Sequence, residues 1–490
     1  MQLSDVMRAA ISGRDVEISS LAYDDRRVVP GTLFFCVRGF TRDGHDFAPD
    51  AVARGAAALV VDRPLRVEVP QVVVTDVRAA MAPAAARFYG DPSAELAVVA
   101  VTGTNGKTTT AYLVRALLES AGRQCGLLGT VTSFVGGVER PVERTTAEAI
   151  DLQRSFRAMR QGGDVACAIE VSSHALRLGR ADAVHVAAAI FTNLTQDHLD
   201  FHPTMEDYFL TKRRLFLAPA DAGEPPRTAV VNVDDAYGRR LAEQLAAAGR
   251  PPLTFAIERD ASYRAIDVES DFNGSRFTAL TPEGPVALQT PLPGRFNVQN
   301  VLGAVAAVRA LGVPLAQIAA ALPDAGRVPG RFERVDEGQD FAVLVDYAHT
   351  PDSLENALQA ARPLTTGRLH CVFGCGGDRD SGKRPLMGEI ATRLADRVCV
   401  TSDNPRSEDP DAIVRDILRG AKVDPRLHVE TDRRAAIAAA IGAAHAGDVV
   451  VIAGKGHEQG QELANGVKVP FDDVTVAREA LRARLGATAR

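Results

Sequence analysis

Apolar residues recur along this chain in two alternating modes. Short continuous apolar runs are followed by longer stretches in which apolar positions return every three or four residues, the spacing of one helix face. Continuous runs suit strands buried on both faces, and strands alternating with helical stretches predict parallel sheets flanked by helices. One series of such runs lies at 97–102, 125–129, 165–171, 187–192 and 228–232, and a second at 341–346, 369–373, 398–401 and 449–453. Helical periodicity covers 77–89, 112–118, 208–216 and 301–311. The predicted fold class is α/β.

Punctuation divides the pattern. Tyr89-Gly90-Asp91-Pro92-Ser93 is a turn cluster between a helical pattern and the first strand run, and a second break lies between Pro323 and Pro329. Three domains follow, at 1–93, 94–328 and 329–490. That division suits a 490-residue chain, because single cores stop growing at roughly 250–300 residues. No fixed-period repeat or long low-complexity tract is present.

Composition removes several classes of function. The chain is 46% hydrophobic and 24% charged, with no stretch approaching the ~20 apolar residues of a membrane span, so no membrane insertion is expected. Residues 1–18 carry acidic groups and lack an apolar export segment, so a cytoplasmic location is expected. A net charge of −6 without a basic tail provides no electrostatic footprint for nucleic acid. Cys36, Cys125, Cys167, Cys371, Cys375 and Cys399 lack the spacing of a disulfide framework or zinc site and read as buried free thiols.

Candidate chemistry falls immediately after the strand runs, where open α/β sheets bind ligands. After the run ending at Thr102 comes Gly103-Thr104-Asn105-Gly106-Lys107-Thr108-Thr109 and then a helical pattern. A glycine-rich turn entering a helix aims backbone N–H groups and the helix dipole at phosphate, with Lys107 adding a charge and Thr108 a hydroxyl for Mg²⁺. Val101 stands where the strict motif has glycine, yet strand, loop, Lys-Thr and helix together predict nucleotide triphosphate binding.

Glu170 ends another strand run, where its carboxylate could face the same Mg²⁺ or serve a structural ion pair. The segment 192–202 concentrates Asp197, His198, Asp200 and His202 after the next strand. Two such clusters beside one phosphate loop favour function over structure. Lys212, in the helical pattern 208–216, reads on periodicity alone as a solvated lysine on a basic helix face.

These motifs occur in the order and spacing of the Mur ligase family, which the chain resembles. The resemblance runs on through Gly294 to Asn300, Gly330-Arg331-Phe332-Glu333, Asp346 to Pro351, Asp403-Asn404-Pro405-Arg406 and Gly454-Lys455-Gly456-His457-Glu458. It implies a UDP-substrate-binding domain, a central P-loop domain with a parallel sheet that binds ATP, and a Rossmann-like C-terminal domain that binds an amino acid. It also implies ligation of meso-diaminopimelate to UDP-N-acetylmuramoyl-L-alanyl-D-glutamate through an acyl phosphate, with ATP and Mg²⁺, by a monomer.

By resemblance Lys107, Lys212 and His198 are catalytic; Thr108, Glu170 and His198 serve Mg²⁺; and Lys212 is carbamylated to N6-carboxylysine. Asn297, Arg331 and Asp346 join the loop Gly103 to Thr109 in contacting ATP. Asp25, Thr145, Thr146, Ser172 and Arg180 hold the UDP-muramoyl-dipeptide. Asp25 stands where many relatives have serine, and Leu178 where some have glutamine.

Arg379, Asp403, Asn404, Pro405, Arg406, Gly454 and Glu458 form the diaminopimelate site. Arg406 is expected to hold the carboxylate that diaminopimelate has and lysine lacks, and to be left buried and unpaired when lysine binds. A lysine-adding ligase of the same family, a folate polyglutamate ligase, a nucleic-acid-associated P-loop motor and a nucleotide-dependent scaffold are the competing readings. The motor does not explain the absence of a basic tract or the three polar motifs after the strands of the final domain, the scaffold would be excluded by stoichiometric ATP turnover with product formation, and Asp403 to Arg406 argue against the folate ligase.

Overall fold

The computed structural model describes residues 1–9, 14–142, 144–217, 224–325, 328–422 and 425–488. Its first sheet joins β1 (Ser20–Ala22), β2 (Thr32–Phe35), β3 (Ala56–Val61) and β4 (Gln71–Val73), all parallel and in that order. The helix Val77–Phe88 covers it, and the link to the following body includes Tyr23, whose hydroxyl donates to Asp151 at 2.6 Å.

The central sheet contains β5 (Ala97–Thr102), β6 (Cys125–Leu128), β7 (Ser133–Val135), β8 (Val138–Arg140), β9 (Ala166–Glu170), β10 (Ala188–Phe191), β11 (Thr228–Asn232), β12 (Leu253–Ala256), β13 (Tyr263–Asp271), β14 (Gly274–Thr281) and β15 (Gly284–Thr290). Among the described residues their order is β15-β14-β13-β12-β11-β10-β5-β9-β6-β7-β8. The middle of the sheet is parallel and buried on both faces, matching the continuous apolar runs. β13 to β15 form an antiparallel meander, with Phe277, Ala279 and Leu288 buried among outward polar residues. Its broken, polar-rich pattern lacks the continuous runs by which the other strands were recognised.

The third sheet has the order β16-β17-β21-β18-β19-β20, from β16 (Glu333–Val335), β17 (Ala342–Asp346), β18 (Leu369–Phe373), β19 (Arg397–Val400), β20 (Leu427–Val429) and β21 (Val449–Ala453). Only the edge strand β16 pairs antiparallel among the described residues. β5 lies between β9 and β10, and β21 between β17 and β18, so both sheets place a crevice beyond the carboxyl ends of their central strands. Strand and helix ends differ from the sequence expectation by a few residues, most at the starts of the phosphate-loop helix, which runs Lys107–Ser120, and of the helix Arg295–Ala310. All six cysteines are buried and free, and no described helix is long and apolar enough to cross a membrane.

Candidate active site

The phosphate loop bridges β5 and the helix Lys107–Ser120, whose N-cap, Gly106, has φ +82°. A Cβ there would lie 2.3 Å from Asn300 Oδ1, and one on Gly103 would lie 1.9 Å from Thr192 Oγ1, so both positions require glycine. The loop is held from the β10 side: Asn193 Oδ1 accepts from Asn105 N at 2.9 Å, and Thr192 Oγ1 donates to Asn105 O at 2.6 Å. No side chain caps the helix, which leaves its first N–H groups aimed into the cleft. Lys107 Nζ donates to Gly103 O at 3.0 Å and Thr104 O at 2.7 Å. Burial pushes its ammonium below the usual lysine range, opposed by the fields of Glu170 and Asp197.

Glu170, at the end of β9, is fully buried. Its carboxylate accepts from Thr108 Oγ1 at 3.0 Å, Thr130 N at 2.8 Å and Thr130 Oγ1 at 3.0 Å. Among the described residues no cation pairs with it within 4 Å, and its neighbours are hydroxyl oxygens, a donor set that suits a hard divalent cation. No three His, Cys, Asp or Glu side chains converge as a cage among the described residues. That fits Mg²⁺, which takes few protein ligands and completes its shell with water and phosphate oxygens.

His198 sits across the same cleft with φ +54°, its Nε2 3.3 Å from Asp197 Oδ2. Burial holds its imidazole toward the neutral form while Asp197 opposes the shift. His174 stacks on Phe201 with centroids 3.9 Å apart and lies edge-on to His198 at 4.9 Å.

Lys212 corrects the periodicity argument. It is 1% exposed, and its Nζ donates to Gly103 O at 2.8 Å and approaches Thr102 Oγ1 at 3.4 Å. The face of the helix Met205–Arg213 that carries it is covered by the phosphate loop, a neighbour more than a hundred residues away in sequence. Burial, then the adjacent Lys107, push its amine well below the usual lysine range.

Thr145, Thr146, Ser172 and Arg180 line this cleft too. Thr146 Oγ1 donates to Glu170 O at 2.8 Å and accepts from Ser172 N at 3.1 Å, while Arg180 Nη1 donates to Thr146 O at 3.2 Å. Thr145 Oγ1 lies 3.1 Å from Thr130 Oγ1. Asp25 lies apart from them, in the turn Asp25–Arg27, where it is ion-paired with Arg54.

Asn297, Arg331 and Asp346 share a second cleft with Asn105, Gly106 and Thr109. Asp346, closing β17, accepts from Phe332 N at 2.6 Å, and burial pushes its carboxyl up to about 6 against the field of Arg331. Arg331 reaches the phosphate loop, with Nη2 donating to Thr108 Oγ1 at 3.2 Å and its guanidinium 4.5 Å over Tyr347. Sequence reasoning passed over Asp235, Asp352 and Asn356 in this cleft; their positions after β11 and on the helix Pro351–Ala361 were the available signal.

Arg379, Asp403, Asn404, Arg406, Gly454 and Glu458 meet in a third cavity at the ends of β18, β19 and β21. The segment Gly376-Gly377 lies against the Asn404-Pro405 backbone so closely that a Cβ on Gly377 would be 2.0 Å from Pro405 O. Arg406 does not stand unpaired: Nε donates to Glu462 Oε2 at 2.9 Å and Nη1 to Gly377 O at 2.8 Å. Buried Lys455, missed from sequence inside its glycine-rich motif, donates to Asn404 Oδ1 at 2.8 Å and Glu458 Oε2 at 3.0 Å. Asp197 and His198 line both this cavity and the phosphate-loop cleft, as does Arg379, so the two open on one another.

Comparison with known proteins agrees across the chain. Residues 17–89 match the model for the Mur ligase family catalytic domain, 101–308 the Mur ligase middle domain, and 330–456 the Mur ligase glutamate ligase domain. The chain is 49% identical over 475 residues to the UDP-N-acetylmuramoyl-L-alanyl-D-glutamate--2,6-diaminopimelate ligase of Geobacillus kaustophilus, covering 96% of each. It is 47% identical over 498 residues to the protein of that name from Streptomyces coelicolor, covering 99% of this chain and 96% of that one. A solved structure of a ligase so named superposes with a TM-score of 0.71 at 34% identity over 99% of both chains. With sequence, fold and motif positions in accord from end to end, the chain belongs to the Mur ligase family.

Proposed function

We propose that this chain joins meso-2,6-diaminopimelate to the D-glutamate γ-carboxylate of UDP-N-acetylmuramoyl-L-alanyl-D-glutamate at the expense of ATP, in peptidoglycan precursor synthesis. The observation that carries the reading is the communication of the phosphate-loop cleft with the acceptor cavity at Asp197, His198 and Arg379. The relatives named for this reaction support it over nearly the whole length. A carboxylate is a poor acyl donor until an oxygen becomes a leaving group. ATP transfers its γ-phosphoryl to the carboxylate, giving ADP and an acyl phosphate; the amine attacks the carbonyl carbon and gives up a proton to solvent, the amide bond forms, and phosphate leaves with the C–O electrons.

In this reading Lys107 and the helix N-terminus behind it offset charge on the moving phosphoryl group. Thr108, Glu170 and His198 would hold Mg²⁺, which when bound supplies Lewis-acid stabilisation of phosphate oxygens. Asn297, Arg331 and Asp346 contact the nucleotide, with Asp346 toward ribose. Thr145, Thr146, Ser172 and Arg180 hold the muramoyl-dipeptide, and Asp25 belongs to the uridine end.

Arg379, Asp403 to Arg406, Gly454 and Glu458 receive the amino acid, with arginines for carboxylates and Glu458 for an ammonium. Lys212 is carbamylated: its neutral amine attacks CO₂, a proton leaves, and an anionic oxygen ligand replaces a cation. Its burial and lowered basicity support that step, which needs the unprotonated amine. The working form is a cytoplasmic monomer with domain boundaries near 93 and 328. The test is a panel of amino acids offered with UDP-N-acetylmuramoyl-L-alanyl-D-glutamate and ATP, reading phosphate release and product mass. A product with meso-diaminopimelate is expected; phosphate release without an amide product would overturn the reading.

A further inference from the structure

Amide formation needs a proton acceptor that none of the residues above supplies. The amine gives up a proton as it becomes an amide, and a general base must lie within hydrogen-bond reach of it. The amine comes from the acceptor cavity and the acyl phosphate from the phosphate-loop cleft, so the base must border both. Asp197, His198, Asp200, Tyr347, His349 and Arg379 do so. Arg379 is a cation without an acceptor atom. Burial pushes the Tyr347 phenol above its usual range, so it keeps its proton. Asp197 accepts from His198 N at 2.9 Å and faces His198 Nε2 at 3.3 Å, and in the ligase reading His198 serves Mg²⁺. Asp200 is exposed, and a solvated carboxylate is a far weaker base than an imidazole.

His349 is differently placed. It follows β17 and precedes the helix Pro351–Ala361, whose capping box, Thr350 with Ser353, fixes the chain on its far side. Its ring centroid lies 4.6 Å from that of Tyr347, and its Nδ1 is 2.9 Å from Tyr347 O. A carbonyl oxygen can only accept, so Nδ1 carries the proton and the neutral ring has its lone pair on Nε2. No described residue donates a hydrogen bond to that nitrogen. Burial, then the field of Lys383, push the imidazole below the usual histidine range against the opposing field of Asp197, so the ring enters the reaction unprotonated.

We propose that His349 is the general base of amide formation, its Nε2 taking the proton from the attacking amine. The inference rests on the ligase reading above. The electron pair of the amine nitrogen forms the C–N bond, the C–O bond to phosphate breaks with its electrons on phosphate, and the N–H proton passes to Nε2. The imidazolium, still donating from Nδ1 to Tyr347 O, then releases a proton to solvent.

The experiment compares wild type with His349→Asn and His349→Ala in two assays and in melting curves. One assay follows amide formation with meso-diaminopimelate; the other puts hydroxylamine in its place and follows ATP-dependent hydroxamate, which reports the acyl phosphate. Hydroxylamine is unprotonated near neutral pH and attacks without help from a base. The asparagine amide can donate to Tyr347 O as Nδ1 does, but it offers no basic nitrogen. Loss of a general base predicts a kcat for the amide lower by roughly 100–10,000-fold in both variants, at unchanged KM for diaminopimelate and with hydroxamate formed at the wild-type rate. Four results would overturn the assignment: hydroxamate falling in parallel with the amide, which points to the phosphoryl step; a loss carried by KM; near-normal amide formation in His349→Asn; or melting several degrees lower in both variants. A wild type that forms no amide with meso-diaminopimelate would instead defeat the ligase reading, and this proposal with it.

Discussion

Replacing Arg406 with alanine removes one guanidinium from the wall of the acceptor cavity. The structure bounds what that costs. Nε and Nη1 already donate to Glu462 and Gly377 O, which leaves the Nη2 edge for a ligand carboxylate. One charge-assisted hydrogen bond is worth roughly 1.5–3 kcal/mol, and about 1.4 kcal/mol is a factor of ten, so kcat/KM for meso-diaminopimelate should fall roughly 10–150-fold. Sequence reasoning expected an added penalty on lysine from a buried, unpaired arginine. Glu462 at 2.9 Å removes that term, because the guanidinium stays paired whichever amino acid is bound. The contribution of Arg406 to discrimination is therefore limited to the same factor. The assay is kcat/KM for meso-diaminopimelate and L-lysine in wild type and Arg406→Ala under identical ATP and Mg²⁺. A preference for diaminopimelate unchanged by the substitution, or a wild-type preference for lysine, would refute the reasoning.

Lys107→Ala should abolish ligation in a folded protein, because it removes the point charge beside the transferring phosphoryl group; near-normal turnover with an unchanged melting curve would count against it. Lys212→Ala should lose activity and recover part of it with formate or acetate standing in for the carbamate, whereas full activity in the unrescued variant would reject carbamylation. The Asp346 carboxyl, pushed up to about 6 by burial from an unfolded value near 3.8, binds its proton more tightly in the folded state. Its contribution to stability is thus fully present below about pH 4 and is lost as pH rises through 6, a span of about two units or ~3 kcal/mol. Denaturant titrations at pH 4 and 7 should show Asp346→Asn gaining on wild type toward pH 7, and a constant difference would contradict this sign. Arg433 and Asp473 are both fully buried and doubly hydrogen-bonded at 2.7 and 2.8 Å. Arg433→Leu should cost ~3–5 kcal/mol and the double replacement with leucine markedly less, as urea unfolding of the two variants would report.

Features legible in the sequence were those decided by a few adjacent residues. The central parallel strands announced themselves as continuous apolar runs because both faces are covered. The phosphate loop was legible because strand, glycines, Lys107, Thr108 and helix are contiguous, and its function needs backbone N–H groups that the local turn already orients. The polar residues after the strands of the last domain could be chosen as acceptor candidates because strand ends in an open α/β sheet face one crevice. Residues whose part is set by distant neighbours were not legible. Lys212 has the periodicity of a solvated face, and only the approach of Gly103 turns that face inward. Arg406 looks like an unpaired cation until the hairpin carrying Glu462 is placed against it. Periodicity records which side chains share a face of one element; whether solvent, a carboxylate or a phosphate loop meets that face is decided by long-range contacts, and these also set the pairing, burial and basicity of every charged group in the cleft.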